Sequence, residues 1–200
     1  MTDGADNVMN IEDWKDSSKG QDFLLEKCII KIAKGKIDYM KDLYYQTSTS
    51  VYGLALSILK NPDDAKDVLH DCFLKIHRGA SGYSSGGKPL AWIFTITKNL
   101  CIQKIRENSK MADIPEDQSL EDYLKAENDM SVEDSMIIKE CLTVLNDDER
   151  QIVVLHAVSG YKHKDIADFM EMPLPTVLSK YNRALKKLKE RITKGGTYDE

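Results

Sequence analysis

The stretch from Tyr161 to Leu188 constrains the fold most, because it has the layout of two helices joined by a tight turn. Apolar residues recur at helical spacing in its first part. Pro173 then ends the first helix, since proline has no N–H to donate and disfavours helical geometry in the residue before it. Pro175 suits the first turn of a second helix. The apolar positions are Ile166, Ala167, Phe169 and Met170 in the first helix and Val177, Tyr181, Ala184, Leu185 and Leu188 in the second.

The second helix of this pair has a polar face that suits DNA. A helix that buries one stripe and presents serine, asparagine, lysine and arginine on the other can enter a major groove. An amphipathic surface helix with solvated lysines is the alternative, and the pattern favours DNA binding over it. The residues outside the apolar stripe are Ser179, Lys180, Asn182, Arg183, Lys186 and Lys187.

Charge is distributed unevenly along the 200 residues, whose net charge is −5. Residues 75–110 carry seven bases against one acid, and residues 161–194 carry nine bases against four acids. Between them, residues 111–149 carry thirteen acids and two lysines. Two basic blocks separated by an acidic one indicate two nucleic-acid surfaces joined by a linker that does not bind DNA.

The four cysteines, Cys28, Cys72, Cys101 and Cys141, lack the spacing of a metal site or a disulfide framework. We expect buried or half-buried thiols, no metal, and an intracellular, cytoplasmic location. The acidic N-terminus has no apolar run, so it is not expected to be a signal peptide. The apolar stretches are too short to span a bilayer, so membrane insertion is not expected.

The pattern predicts an all-α fold of two small helical domains joined by an acidic linker, with the helix-turn-helix in the C-terminal domain. Four helices are expected near residues 22–33, 37–60, 63–78 and 90–107, and residues 79–87, rich in glycine and serine, are expected to be a flexible loop. Ser131 opens the second domain with a capping-box-like start. No constellation of nucleophile, base and orienting group occurs, so neither an enzyme nor a cofactor is predicted.

Three segments together resemble the extracytoplasmic-function (ECF) sigma factors, the compact subunits that direct bacterial RNA polymerase to promoters. They are LYYQTSTSVYGLALSILKNPDDAKDVLHDCFLKIHR, PLAWIFTITKNLCIQKIREN and LTVLNDDERQIVVLHAVSGYKHKDIADFMEMPLPTVLSKYNRALKKL. The resemblance implies an N-terminal extension (1–20), sigma region 2 (21–108), a linker (109–130), sigma region 4 (131–194) and a tail (195–200). The chain departs from the family pattern at His70-Asp71, Gln103, Asn146, Pro175, Leu178 and Lys180.

By this resemblance, region 2 docks on the clamp helices of the largest catalytic subunit of core polymerase, and region 4 meets the flap of the other large subunit. The docking residues would be Asp67, His70, Asp71 and Leu74, which share one helical face. A solvated helix face is the alternative. Phe73 and Ile76 are expected in the core. An anti-sigma factor is a further expected partner.

The resemblance also assigns DNA contacts. At the −10 element, Asn99 would line the pocket of a flipped base, because its amide both donates and accepts hydrogen bonds. The loop at 79–88 with Tyr83, together with the basic fourth helix, fits the site of that base. Trp92 would lie near the point of strand separation, although it equally suits the core. Lys98, Lys104 and Arg106 would hold phosphates or be ordinary surface charges. The −35 contacts would be Thr176, Leu178, Ser179, Lys180, Asn182, Arg183, Lys186 and Lys187.

Two alternatives remain open at this point. One is a stand-alone helix-turn-helix regulator that never contacts polymerase, and the other is a helical interaction protein. The acidic linker is either a mimic of nucleic acid that enters the polymerase cleft or a plain solvated tether.

Overall fold

The computed structural model describes residues 18–110 and 143–195. The N-terminal segment, most of the linker, the helix expected from Ser131 with Cys141, and the tail after Gly195 lie outside the described residues. Within the described ranges the chain is helical, as predicted, and contains no strand. The part of the chain that the structure describes has seven full helices and a short 3-10 turn: α1 (Ser18–Ala33), α2 (Tyr39–Leu59), α3 (Pro62–Gly79), the 3-10 turn (Ala80–Gly82), α4 (Pro89–Lys110), α5 (Asp147–Ala157), α6 (His163–Met170) and α7 (Leu174–Gly195).

The helices begin and end where the local chemistry requires. At the start of α3 the Asn61 side chain accepts a hydrogen bond from the Asp64 N–H at 2.9 Å, and Pro62 occupies the first turn. At the start of α5, Asn146 and Glu149 form a reciprocal capping box. Glu171 ends α6 in a left-handed conformation, with φ of +55°, which turns the chain into α7. The expected helix limits hold to within a few residues, except that α1 starts at Ser18.

α2 is the central helix, and it is buried on most of its circumference. It packs against α1, α3 and α4 on one side and against α5 on another. Small residues such as Gly53 and Ala55 let these neighbours approach closely, and both are buried. Phe73 and Ile76 of α3 lie in the same core, as predicted. The cysteines at positions 28, 72 and 101 are buried free thiols, also as predicted.

The first four helices and the last three share one hydrophobic core. Ile152 and Leu155 of α5 and Ile166 of α6 belong to the same buried cluster as the residues of α2 and α4. The ring of Phe94 on α4 meets the ring of Tyr161 edge-on at 5.3 Å between centroids. The two predicted units are therefore packed against each other.

Arg150 makes a buried polar connection in this interface, where its side chain is only 4 % exposed. Its Nη1 donates to the Ser57 carbonyl of α2 at 3.0 Å, and its Nη2 donates to the Leu145 carbonyl at 2.8 Å. Ser57 lies in the last turn of α2, where carbonyl groups lack a partner within the helix. The planar guanidinium is suited to both acceptors at once because its donors are fixed in a fork.

We expect Arg150→Ala to lower the free energy of unfolding by about 2–4 kcal/mol, because it leaves two buried carbonyl groups without a donor. Arg150→Lys should recover little of this loss, since an ammonium group cannot reproduce the fork. Thermal or urea denaturation measures both changes.

Lys60→Ala is the matched control, because Lys60 forms an exposed ion pair with Asp147 across the same interface. That substitution should cost less than about 1 kcal/mol. Equal losses in Arg150→Ala and Lys60→Ala would contradict the central role of the guanidinium.

Candidate nucleic-acid interface

The predicted docking residues lie together on the surface of α3. Asp67, His70, Asp71 and Leu74 are all exposed, and Leu74 retains 53 % of its surface. They form one face, as the i, i+3, i+4, i+7 spacing predicts. Whether this face binds polymerase stays a prediction.

Lys104 connects this face to the predicted −10 surface. Its Nζ lies 2.8 Å from Asp67 Oδ2 and 3.1 Å from Asp64 Oδ1. The hydrogen bond to Asp67 is the main cause that raises the pKa of Lys104. Lys104 therefore bridges α4 to α3, while Arg106 on the same helix is exposed.

The predicted −10 residues fall into two groups on α4 and the loop before it. Tyr83 and Trp92 are half-buried and meet edge-on, with ring centroids 5.1 Å apart. Lys98 and Asn99 lie one to two turns further along α4 and line a cleft of about 350 Å³. Asn99 is exposed in that cleft, as the flipped-base hypothesis needs.

One wall of this cleft comes from α6 of the C-terminal unit. Asp165, Asp168 and Phe169 line it. The Lys88 Nζ lies 3.4 Å from Asp168 and 3.8 Å from Asp165, and the Lys98 Nζ lies 5.3 Å from the centroid of the Phe169 ring. Lys88, the last residue of the loop at 79–88, thus contacts carboxylates of α6, and Lys98 of the predicted −10 set contacts an aromatic ring of the same helix.

The helix-turn-helix prediction is confirmed in its geometry by α6, the turn at Glu171 and α7. Val177 and Ala184 are fully buried, and Tyr181 and Leu188 are partly buried, as expected. Leu185 is the exception, because it is 42 % exposed. The buried stripe is narrower than predicted, since Leu185 points away from α5.

The candidate −35 residues divide into two groups. Lys180 pairs with Asp148 at 2.8 Å, and Lys187 pairs at 2.6 Å with Glu149, a fully buried residue. These two lysines hold α7 on α5. The other members of the predicted set lie on the exposed face of α7: Thr176, Leu178, Ser179, Asn182, Arg183 and Lys186.

Glu149 was not predicted as a functional residue, yet it fixes α7. Its Oε2 accepts hydrogen bonds from Lys187 and from the Asn146 backbone. Burial opposes ionisation of Glu149, but these hydrogen bonds outweigh burial and lower its pKa. The helix-capping role of Glu149 could have been predicted from the sequence, because Asn146 and Glu149 have the spacing of a capping box.

Two histidines and a tyrosine meet where α5, α6 and α7 join. The rings of His156 and His163 lie 4.2 Å apart, and Tyr181 is edge-on to both. His156 Nδ1 bonds the Tyr161 carbonyl at 2.9 Å, whereas the buried His163 Nε2 has no hydrogen-bond partner among the described residues. Burial first, and then the neighbouring His156, lower the pKa of His163.

Matches to known families follow the same division of the chain. Residues 43–111 match the family described as sigma-70 region 2, and residues 135–188 match sigma-70 region 4. The first match contains α2 from Leu43 onward, α3 and α4, with the candidate docking and −10 residues. The second contains α5, α6 and α7 up to Leu188. The chain has both regions in the order typical of sigma factors.

Whole-length relatives agree with these matches. The chain is 28 % identical over 176 residues to the ECF RNA polymerase sigma factor SigK of Mycobacterium ulcerans, covering 82 % of this chain and 91 % of the relative. It is 22 % identical over 183 residues to the ECF RNA polymerase sigma factor SigW of Bacillus subtilis, covering 86 % and 98 %. The chain belongs to the ECF family of RNA polymerase sigma factors.

Solved structures share the fold. The sigma factor RpoE from Bartonella quintana, in complex with the anti-sigma factor NepR, has a TM-score of 0.61 at 22 % identity, covering 78 % of this chain and 98 % of that one. CnrH, in complex with the cytosolic domain of CnrY, has a TM-score of 0.57 at 18 % identity, covering 85 % and 97 %. Among the described helices, none has the length and apolar character needed to cross a membrane.

We expect acid to destabilise the helix-turn-helix unit through His163. A histidine whose pKa is lowered by folding resists protonation, so its contribution to stability is full above the ordinary pKa of about 6.5 and declines as the pH falls below it. The melting temperature should fall between about pH 7.5 and about pH 5.5, and His163→Tyr should flatten this slope.

His77→Gln is the matched control, because His77 is exposed on α3, away from α6. His77→Gln should leave the dependence of the melting temperature on pH unchanged. If His163→Tyr and the unmodified chain lose stability in parallel as the pH falls, the histidine pair is not the source of the acid sensitivity.

Proposed function

We propose that this sigma factor binds core RNA polymerase through the exposed face of α3, reads the −35 element with α7 and opens the −10 element with α4 and the loop before it. One observation carries the proposal: both sigma-70 regions match in order, and their matched helices present most of the candidate residues, Asp71, Asn99 and Arg183 among them, on exposed faces. The protein would have no catalytic activity of its own and would act in the cytoplasm, where bacterial transcription takes place.

The proposed partners follow from the same faces. The acidic stripe of α3 with Leu74 suits a polar, salt-sensitive interface with the clamp helices of the largest polymerase subunit. The C-terminal unit would meet the flap of the other large subunit. An anti-sigma factor is proposed by analogy with RpoE and NepR.

Promoter binding would separate the two packed units. A DNA strand that follows the basic face of α4 past Asn99 meets α6, because Asp168 and Phe169 border that cleft. We infer that α6 leaves α4 when the −10 element binds. The contacts of Lys88 and Lys98 with α6 are exposed at least in part, so replacing them with DNA phosphates costs little.

The decisive test mixes the full chain with bacterial core polymerase and measures co-elution and run-off transcription on sheared genomic DNA. We expect a stable complex and discrete new start sites. Asp71→Lys should weaken the complex by at least about tenfold, because it reverses a charge in the docking face. Failure of the unmodified chain to bind core, with duplex binding intact, would favour the stand-alone regulator.

Asp38→Lys is the control for charge reversal, because Asp38 is exposed at the start of α2, outside the docking face. It should leave core binding within about twofold of the unmodified chain, since surface charges far from an interface contribute little. If both charge reversals weakened core binding equally, the effect would be a general one of charge, and the assignment of the docking face would be wrong.

We expect Asn99→Ala to slow promoter opening by about tenfold or more, because the base-edge hydrogen bonds of the amide are worth roughly 1–3 kcal/mol. Duplex binding at the −35 element should be unchanged. Opening is measured by fluorescence of 2-aminopurine in the −10 element. Gln103→Ala, one turn further along α4, is the control and should open the promoter normally. Normal opening by Asn99→Ala would show that the pocket for the flipped base is elsewhere.

A further inference from the structure

Glu26 of α1 organises the loop that joins α3 to α4. Its Oε1 accepts three hydrogen bonds from this loop: from the Tyr83 hydroxyl at 3.2 Å, from the Ser85 hydroxyl at 2.6 Å and from the Gly87 N–H at 3.3 Å. Glu26 lies before residues 43–111, the part of the chain that matches the sigma-70 region 2 family, and the resemblance gives it no contact with polymerase or DNA. One carboxylate oxygen thus connects α1 to three positions of a loop about sixty residues away in sequence.

The chemistry of the contact favours a carboxylate. Three donors converge on one oxygen, and an ionised carboxylate only accepts hydrogen bonds. The Ser85 hydroxyl is the main cause that lowers the pKa of Glu26, and the Gly87 N–H and the Tyr83 hydroxyl add to it against the effect of burial. Burial and the nearby Glu26 raise the pKa of Tyr83 to about 12, so the phenol keeps its proton and remains a donor at neutral pH.

The sequence of this loop does not favour a single conformation. It contains Ser84, Ser85, Gly86 and Gly87, and Gly87 has a φ of +66°. Glycine gains the most conformational freedom when released from such a position. Ordering the loop therefore depends on contacts from outside it, and Glu26 supplies three of them.

Glu26 also restrains Tyr83, a candidate −10 residue, and the backbone directly before Lys88. Tyr83 is held by its hydroxyl, and its ring meets Trp92 of α4 edge-on. Lys88 follows Gly87 directly and lies at the mouth of the cleft that contains Asn99. Releasing Glu26 would free the Tyr83 ring and the backbone before Lys88 at the same time.

We propose that Glu26 is a positioning residue for −10 recognition, which holds residues 83–87 in the conformation that presents Tyr83 and Lys88 to the separated DNA strand. This inference rests on the proposed function of α4 and its loop. Glu26 would contact no DNA itself and would act through the loop.

The first experiment measures loop order without reference to transcription. Amide hydrogen exchange of residues 83–88 is compared in the full chain, in Glu26→Ala and in Asp38→Ala. We expect exchange in Glu26→Ala to be faster by about tenfold or more, because hydrogen bonds to a charged acceptor are among the stronger ones. Asp38→Ala removes an exposed acid that makes no capping hydrogen bond, so it should leave the loop unchanged.

The second experiment measures promoter opening by the reconstituted holoenzyme, at a start site mapped by run-off transcription. Glu26→Ala should slow opening by about tenfold and reduce discrimination between the mapped −10 sequence and single-base substitutions of it. Core binding and −35 duplex binding should stay within about twofold, since Glu26 lies in neither interface. Glu26→Gln, which keeps an acceptor oxygen, should recover part of the loss.

Ser85→Ala tests the same contact from the loop side. Its effect on opening should not add to that of Glu26→Ala, because the two substitutions remove one shared hydrogen bond. Additive effects would overturn the proposal, as would unchanged loop exchange, or faster exchange with normal opening and normal −10 discrimination. If the unmodified holoenzyme gives no discrete start sites, the −10 role falls with the proposed function, and the exchange result alone decides whether Glu26 holds the loop.

Discussion

The guanidinium of Arg150 satisfies two backbone carbonyls that belong to different parts of the chain, and the arrangement of the two units depends on it. One carbonyl lies at the end of α2 and the other directly before α5. A buried cation is costly unless its donors are used, so α5 is restricted to positions where both acceptors lie within the span of one planar group. Once α5 is placed, the turn after it brings Tyr161 onto Phe94 and sets α6 beside α4. This polar contact and the shared hydrophobic core together hold α6 over one surface of α4.

Ion pairs within the chain give the basic residues different tasks. Lys187 is paired with a carboxylate that has no solvent exposure, and this pairing fixes the orientation of α7 on α5. Arg183 and Lys186 are exposed on the same helix, where phosphates can reach them. We infer that Lys187 orients the helix and that Arg183 and Lys186 provide the salt-dependent attraction to DNA. The same division applies on α4, where Lys104 bridges to α3 and Arg106 is exposed.

Features with a local cause could be predicted from the sequence, and features set by distant partners could not. The turn at Glu171 and the start of α3 follow from proline and from capping residues close in sequence. The exposed face of α3 follows from helical spacing alone. Leu185 was placed in the buried stripe because its spacing fits, but its burial depends on which side of α7 meets α5. The composition of the loop at 79–87 predicts flexibility. In the structure its first residues form a 3-10 turn, and the Glu26 carboxylate holds its end. No pattern in the loop sequence reveals this contact, because Glu26 lies on a distant helix.

The groups that α6 presents to α4 are chemically similar to those that single-stranded DNA would present. Asp165 and Asp168 offer anionic oxygens to Lys88, and Phe169 offers the face of an aromatic ring to Lys98. Phosphates and bases would offer the same two kinds of partner to the same lysines. In the packed arrangement, groups of α6 therefore supply the partners that the lysines of α4 would otherwise find in a ligand. This also explains how an acidic helix and a basic helix can lie together in one DNA-binding protein. We infer that replacing α6 with DNA would change the interactions of either lysine little. The balance between the two states would then be set by the buried contacts of Arg150 and Tyr161 rather than by the exposed charges.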